Sequence, residues 1–227
     1  MLPTLEKDPK AASPHSEEPA VQCHTTHMWR RDLKVSLLCL GAAILVGATF
    51  FFPLWALDLY APQYTEGPLT LYVYPYKLEE RYADVRGEIF EFKLLSKFIG
   101  RSFLEHPLEL TIVPIILGVI ALLCLTTAFL RRGREILLKA AGILFLLMMA
   151  GGAVDLQWRL YDFGHNRDPF APLREIPPFT VPLIGSSSFA NWKSFSHFEM
   201  GAYLFGLAAL MIGIAYWCQK RSRGNQS

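Results

Sequence analysis

Four stretches of the chain, Val35 to Leu54, Leu110 to Leu130, Ala140 to Val154 and Met200 to Cys218, contain no Asp, Glu, Arg or His. A hydrocarbon core about 30 Å thick is crossed by roughly 20 apolar residues in a helix. Three of the runs reach or nearly reach that length uninterrupted, and the third reaches it by extending back to Ile136 with Lys139 snorkelling at its end. None carries the polar face that a buried helix of a soluble protein shows to water. The pattern predicts an all-α membrane protein: a four-transmembrane-helix bundle with spans at about 34–55, 108–130, 136–156 and 198–218. On one side the spans are joined by two long loops, 56–107 and 157–197.

Weaker periodicities mark the loops. Leu69 to Tyr76, LTLYVYPY, alternates β-branched and aromatic residues as a short strand or hairpin edge does. Glu88 to Phe103 places Ile89, Phe92, Leu95, Phe98 and Ile99 near helical spacing, the pattern of an interfacial amphipathic helix or of a helix capping the bundle. In the second loop five prolines between Pro169 and Pro182 forbid a regular helix and predict an ordered, extended cover over the mouth of the bundle. Residues 1–33, rich in Pro, Ser, Glu and Lys, read as a disordered tail, and 220–227 as a second short tail.

Composition agrees with the membrane reading: 52% of the 227 residues are hydrophobic and the mean hydropathy is +0.26. A net charge of +2 leaves no basic field for nucleic acid. The distribution of charge matters more. Residues 1–34, 131–139 and 219–227 together hold 12 basic and 6 acidic residues, with Arg30, Arg31, Arg131, Arg132, Arg134, Lys220, Arg221 and Arg223 beside span ends. By the positive-inside rule that side is cytoplasmic, both termini included, and the two long loops are extracytoplasmic. Neither loop contains a cysteine, so neither relies on a disulfide.

The candidate chemistry is sparse. No histidine lies within a span, so a transmembrane bis-histidine haem has no ligands, and the phosphate-loop, nucleophile-elbow and His-Glu-x-x-His motifs are absent. A non-enzymatic protein is expected. Imidazole and thioether suit copper, which makes His106, His165, His197 and Met200 a candidate outer metal site, with His106 and His197 expected at the same interface. The alternative is separate interfacial histidines bonded to loop carbonyls. Cys23, His24, His27 and Met28 form a second soft-ligand cluster in the N-terminal tail. Asp58 and Asp155, with Arg159 one turn on, read as helix-end pairs rather than proton carriers.

Two loop motifs carry a resemblance. Pro53-Leu-Trp and Asp58-Leu-Tyr-Ala-Pro-Gln-Tyr-Thr-Glu-Gly67, together with Tyr161-Asp-Phe-Gly-His-Asn-Arg-Asp-Pro169 and Pro182-Leu-Ile-Gly185, resemble a bacterial family of four-span membrane proteins associated with nitrous-oxide reductase and its copper-delivery accessory proteins. The resemblance implies an inner-membrane accessory protein that supports maturation or copper supply of a periplasmic copper enzyme in denitrification. Copper would be its cofactor, and the lipid bilayer with a copper enzyme or copper chaperone its partners. The docking residues would be those of the two motifs: Pro62, Gln63, Tyr64, Glu66 and Gly67 in the first loop, and Gly164, His165, Asn166, Asp168 and Pro169 in the second. Where that family shows Asn-His-Tyr-Ile-Gly-Met, this chain has Ser96-Lys97-Phe98-Ile99-Gly100-Arg101 and so lacks that His and Met. The other reading is a structural subunit of a larger membrane electron-transfer complex without a metal of its own.

Overall fold

A computed structural model describes residues 18–82, 85–87, 91–99, 109–130, 133–166, 177–189 and 191–224. Four helices in it are long and apolar enough to cross a membrane: α1 (Glu18–Ala48), α3 (Glu109–Phe129), α4 (Arg134–His165) and α5 (Met200–Gly224). Between α1 and α3 lie β1 (Trp55–Tyr60), β2 (Leu69–Val73), β3 (Leu78–Tyr82), β4 (Val85–Gly87) and the short helix α2 (Glu91–Ile99). Between α4 and α5 lie β5 (Gly185–Phe189) and β6 (Trp192–Phe198).

The expectation of an all-α bundle is therefore overturned. Both long loops fold together into one antiparallel six-stranded sheet, ordered β4-β3-β2-β1-β6-β5, and the protein is mixed α and β. The decisive pairing is β1 with β6, Trp55 opposite Phe198 and Tyr60 opposite Lys193. It joins segments more than 130 residues apart, so no local pattern announces it. Its cause is the bundle: α1 runs through a 3-10 turn (Thr49–Phe51) into β1, while β6 runs into α5, and α1 and α5 pack together. Two neighbouring helices thus deliver two strands side by side.

The helices pack in a ring, α1 against α3 and α5, and α4 against α3 and α5. Small residues let the backbones approach, as Ala42, Ala43, Val46, Ala141 and Ala208 meet Leu117, Ile120, Phe145 and Ile212. At the end of the bundle away from the sheet, Arg134 is only 3% exposed. Its guanidinium donates to the Thr127 carbonyl (2.9 Å), to Ser36 Oγ and to the Ala128 and Asp32 carbonyls (both 3.4 Å), with the Asp32 carboxylate at 3.6 Å. One side chain therefore ties α1, α3 and α4 together, satisfying the free carbonyls at the C-terminus of α3.

Three further boundaries differ from expectation. Helix α1 begins at Glu18, so residues 18–33, expected to be disordered, are helical, while 1–17 lie outside the described residues. Helix α4 is 32 residues long, about 48 Å at 1.5 Å per residue, and so overhangs a hydrocarbon core of about 30 Å by several turns. That overhang puts Leu156, Leu160 and Phe163 against the sheet. The extended segment 177–183 covers the sheet as well, rather than the mouth of the bundle: Phe179 and Val181 join Trp55, Leu57, Leu59, Leu69, Leu71, Phe92 and Phe189 in a second core.

Strand alternation divides the sheet into two faces. One face is this core, sealed by α2, the end of α4 and segment 177–183. Trp55 Nε1 donates to the Leu183 carbonyl (2.7 Å), and the Gln157 amide both donates to Val181 O (3.4 Å) and accepts from Leu183 N (2.9 Å). The expected amphipathic helix exists as α2, with Phe92 buried in the sheet core. Its first amides, Glu91 N and Phe92 N, donate to the buried Glu80 carboxylate at 3.3 and 3.0 Å, an N-cap supplied from β3.

Candidate functional site

The opposite sheet face is polar. Register places Asp58, Tyr60, Thr70, Tyr72, Glu79, Arg81, Lys193, Phe195 and His197 on it. Its centre is held by hydrogen bonds between strands. Thr70 Oγ1 donates to Asp58 Oδ1 at 2.6 Å. Asp58 Oδ2 stands 3.9 Å from His197 Nδ1, while His197 Nε2 and Glu199 Oε1 are 3.1 Å apart. Asp58 and His197 are diagonal neighbours, since Ala56 faces His197 and Asp58 faces Phe195. Ala56, fully buried, leaves room for the imidazole, and the Phe195 ring stacks on it at 5.4 Å. The Nδ1 atom is buried and has no hydrogen-bond partner among the described residues. An imidazole set between two carboxylates can orient a neighbouring group.

Met200 follows at the start of α5 and is largely exposed. Behind it the chain is tightly fixed. Gly201 N donates to Pro53 O (2.9 Å) and Glu199 N to Leu54 O (3.1 Å), and a Cβ on Gly201 would meet the Pro53 and Phe52 carbonyls at 2.6 and 2.7 Å.

Two of the residues proposed for an outer metal site lie on different elements, His165 on α4 and His197 on β6. His197 sits on a strand, not at a helix start as expected, and its nitrogens face carboxylates. His165 lies on the last turn of α4, its ring stacked on Tyr161 at 3.9 Å and its Nδ1 3.0 Å from the Tyr161 carbonyl. His106 falls outside the described residues. Among the described residues no three His, Cys, Asp or Glu side chains form a metal-binding group. Cys23, His24, His27 and Met28 lie on the helical backbone of α1, each within about one turn of the next.

The docking motifs divide into exposed and structural positions. Pro62, Gln63 and Glu66 are exposed at the β1–β2 turn. Tyr64 folds back onto the Tyr82 ring (5.0 Å) against the sheet core, and burial, with Glu91, Glu80 and Tyr82 adding to it, pushes its hydroxyl up to about 12. Gly67 has φ +134°, a conformation that favours glycine. In the second motif Gly164 is pressed under the Phe179 carbonyl, 1.8 Å from where a Cβ would stand. Asn166 caps α4 by bonding the Asp162 carbonyl (2.9 Å) and carboxylate. Asp168 and Pro169 lie outside the described residues.

Sequence reasoning overlooked Thr70, Gln157 and Glu199, and read Asp58 as a helix-end residue although it lies on β1. Asp155 does pair with Arg159 at 3.1 Å, but within α4, which runs on to His165, and not at its end. The signal for Asp58 was present as alternation, Ala56-Leu57-Asp58-Leu59-Tyr60, but hidden in what looked like a span exit. Compared with known proteins, the chain matches no family model and no curated protein.

Proposed function

We propose that this multi-pass membrane protein is a non-enzymatic accessory subunit whose sheet is a docking platform on the extracytoplasmic side of a bacterial inner membrane, with both termini cytoplasmic. One observation carries the reading: the two long loops merge into a single sheet that is sealed on one face and polar on the other, where Tyr60 and Phe195 are exposed. Because β1 and β6 are continuous with α1 and α5, a partner held there is held rigidly relative to the bilayer. The charge sidedness of the tails supports the orientation. The loop-motif resemblance supports a copper enzyme such as nitrous-oxide reductase, or its copper chaperone, as the partner class.

The test is purification from native membranes in mild detergent, with metal and haem analysis and identification of co-purifying proteins, for the wild type and for a Gln63→Arg/Lys193→Glu variant. A partner retained by the wild type and lost by the variant supports the platform. Loss of copper loading in that partner supports the maturation role. A metal-free complex with unaltered loading makes the protein a scaffold subunit, and a variant that retains every partner removes the docking surface.

A further inference from the structure

We propose that the corner joining β2 to β3, Tyr74 to Lys77, is a membrane anchor of the sheet, with Tyr76 seated at the boundary between headgroups and acyl chains and Lys77 at the level of the lipid phosphates. The register of the sheet gives its two ends different heights. Trp55, where β1 leaves α1, pairs with Val73 and Phe198, and Val73 pairs with Leu78, so the β2–β3 corner lies at the same end of the sheet as the helices. The β1–β2 turn lies at the other end, about 16 Å away over five residues of strand.

A direct contact ties the corner to the membrane span. The Tyr76 ring stacks on Phe50 at 6.2 Å and 23°, and Phe50 belongs to the apolar span Asp32–Phe51. An extramembrane sheet whose corner touches a residue of the span must meet the bilayer there. Tyr76 remains 44% exposed, and Phe51 80% and Phe52 41%, so these rings call for an apolar covering that the described residues do not supply. Aromatic rings with one polar end partition to this depth. Tyr203, exposed on the first turn of α5, stands in the same belt.

The corner is built to hold that position. Tyr74 N donates to Lys77 O at 2.9 Å, Pro75 is buried, and Leu54 N donates to Val73 O at 2.8 Å, pinning the hairpin to the exit of α1. The Lys77 ammonium lies 4.8 Å from the Tyr74 ring centre and 5.8 Å from that of Tyr76, 3.2 Å from Glu79. An ammonium above interfacial rings is placed where a snorkelling lysine meets phosphate. The sheet thus rests on the bilayer by the two helix-linked strands and by this corner, which leaves the β1–β2 turn facing away from it. The anchor rests on the four spans and not on the identity of any partner.

Photo-crosslinking tests it. Benzoylphenylalanine is placed at 76, at 203 as the membrane reference and at 60 as the distal reference, in full-length protein in phosphatidylethanolamine/phosphatidylglycerol nanodiscs. After irradiation, lipid adducts are measured by mass spectrometry. Positions 76 and 203 are expected to give lipid adducts at comparable yield, several-fold above position 60. Labelling at 203 with position 76 no better than 60 overturns the anchor, and the 203 signal shows that the spans are inserted. In a second measurement, Tyr76→Asp is expected to raise hydrogen exchange across 69–82 in nanodiscs; unchanged exchange also overturns it.

Discussion

Replacing Gly164 with alanine tests how the end of α4 meets the sheet. The new Cβ would stand 1.8 Å from the Phe179 carbonyl oxygen and 2.9 Å from its carbon. Regaining a separation of 3.0 Å, below which real Cβ contacts essentially never fall, requires the carbonyl to retreat by about 1.2 Å. Phe179 cannot yield freely, because its ring is buried, stacked on Phe189 at 4.0 Å and edge-on to Phe163 at 6.2 Å. Overpacking of this kind costs about 1–3 kcal/mol, and partial exposure of an aromatic ring adds on the order of 1.5 kcal/mol. We expect a loss of about 3 kcal/mol, which lowers the melting temperature by roughly 6–12 °C for a chain of this size. The assay is thermal unfolding in nanodiscs, with hydrogen exchange resolved over 177–189. Gly151→Ala on the same helix is the control: nothing lies within 4 Å of its Cβ, and helix propensity should make it neutral or stabilising by up to about 1 kcal/mol. If Gly164→Ala behaves like that control in melting and exchange, segment 177–183 does not cross α4 as described.

Other expectations follow from single side chains. Arg134→Ala should destabilise the bundle by about 3 kcal/mol, since it takes a buried donor away from the Thr127 and Ala128 carbonyls of α3. Arg134→Lys should restore only part of that, because one ammonium cannot span the same acceptors; detergent melting curves separate the three proteins. Burial raises the Glu80 carboxyl above its usual 4.5, against the lowering effect of the Phe92 and Glu91 amides. The folded state then binds the proton more tightly than the unfolded chain, so the stability this carboxyl contributes is fully present below pH 4.5 and is lost as pH rises through the folded value. Glu80→Gln should flatten that fall while losing one cap bond, as pH-dependent unfolding would show. Tyr64 should stay un-ionised until about pH 12, and Tyr64→Phe should remove a tyrosinate step near that pH from an absorbance titration while leaving the β1–β2 turn folded.

The four spans were legible because crossing a bilayer is a one-dimensional demand: each needs roughly 20 apolar residues in a row, and composition alone displays them. The amphipathic α2 and the strand at Leu69 were legible for a similar reason, each carrying its periodicity within one turn or one pleat. The sheet as a whole was not. In β6 the buried positions are Ser194 and Ser196, whereas Phe195 points outward, so its polarity runs opposite to a half-buried strand. Those serines are tolerated because their hydroxyls find carbonyls, Ser194 at Ser187 and Ser196 at Pro182 and Gly185, contacts that exist only once the strands are assembled. The length of α4 was underestimated because its last turns carry Asp155, Arg159 and Asp162, which read as a loop until a sheet lies beside them.

The candidate site divides in the same way. Sequence marked the two loop motifs, and their glycines are explained by backbone demands, the left-handed turn at Gly67 and the crossing at Gly164. It also singled out His197, but placed it with Met200 and His106 because all three border spans. Only the pairing of β1 with β6 brings Asp58 beneath His197, because hydrogen-bonded register acts between strands that the chain separates by more than a hundred residues; Glu199, two residues on, reaches the other nitrogen locally. Membrane crossing is a property of each segment taken alone, and so the sequence by itself determined it. Which face of the sheet is sealed, and which polar groups meet on the open one, depends on strand neighbours that helix packing chooses, and only the tertiary structure decided it.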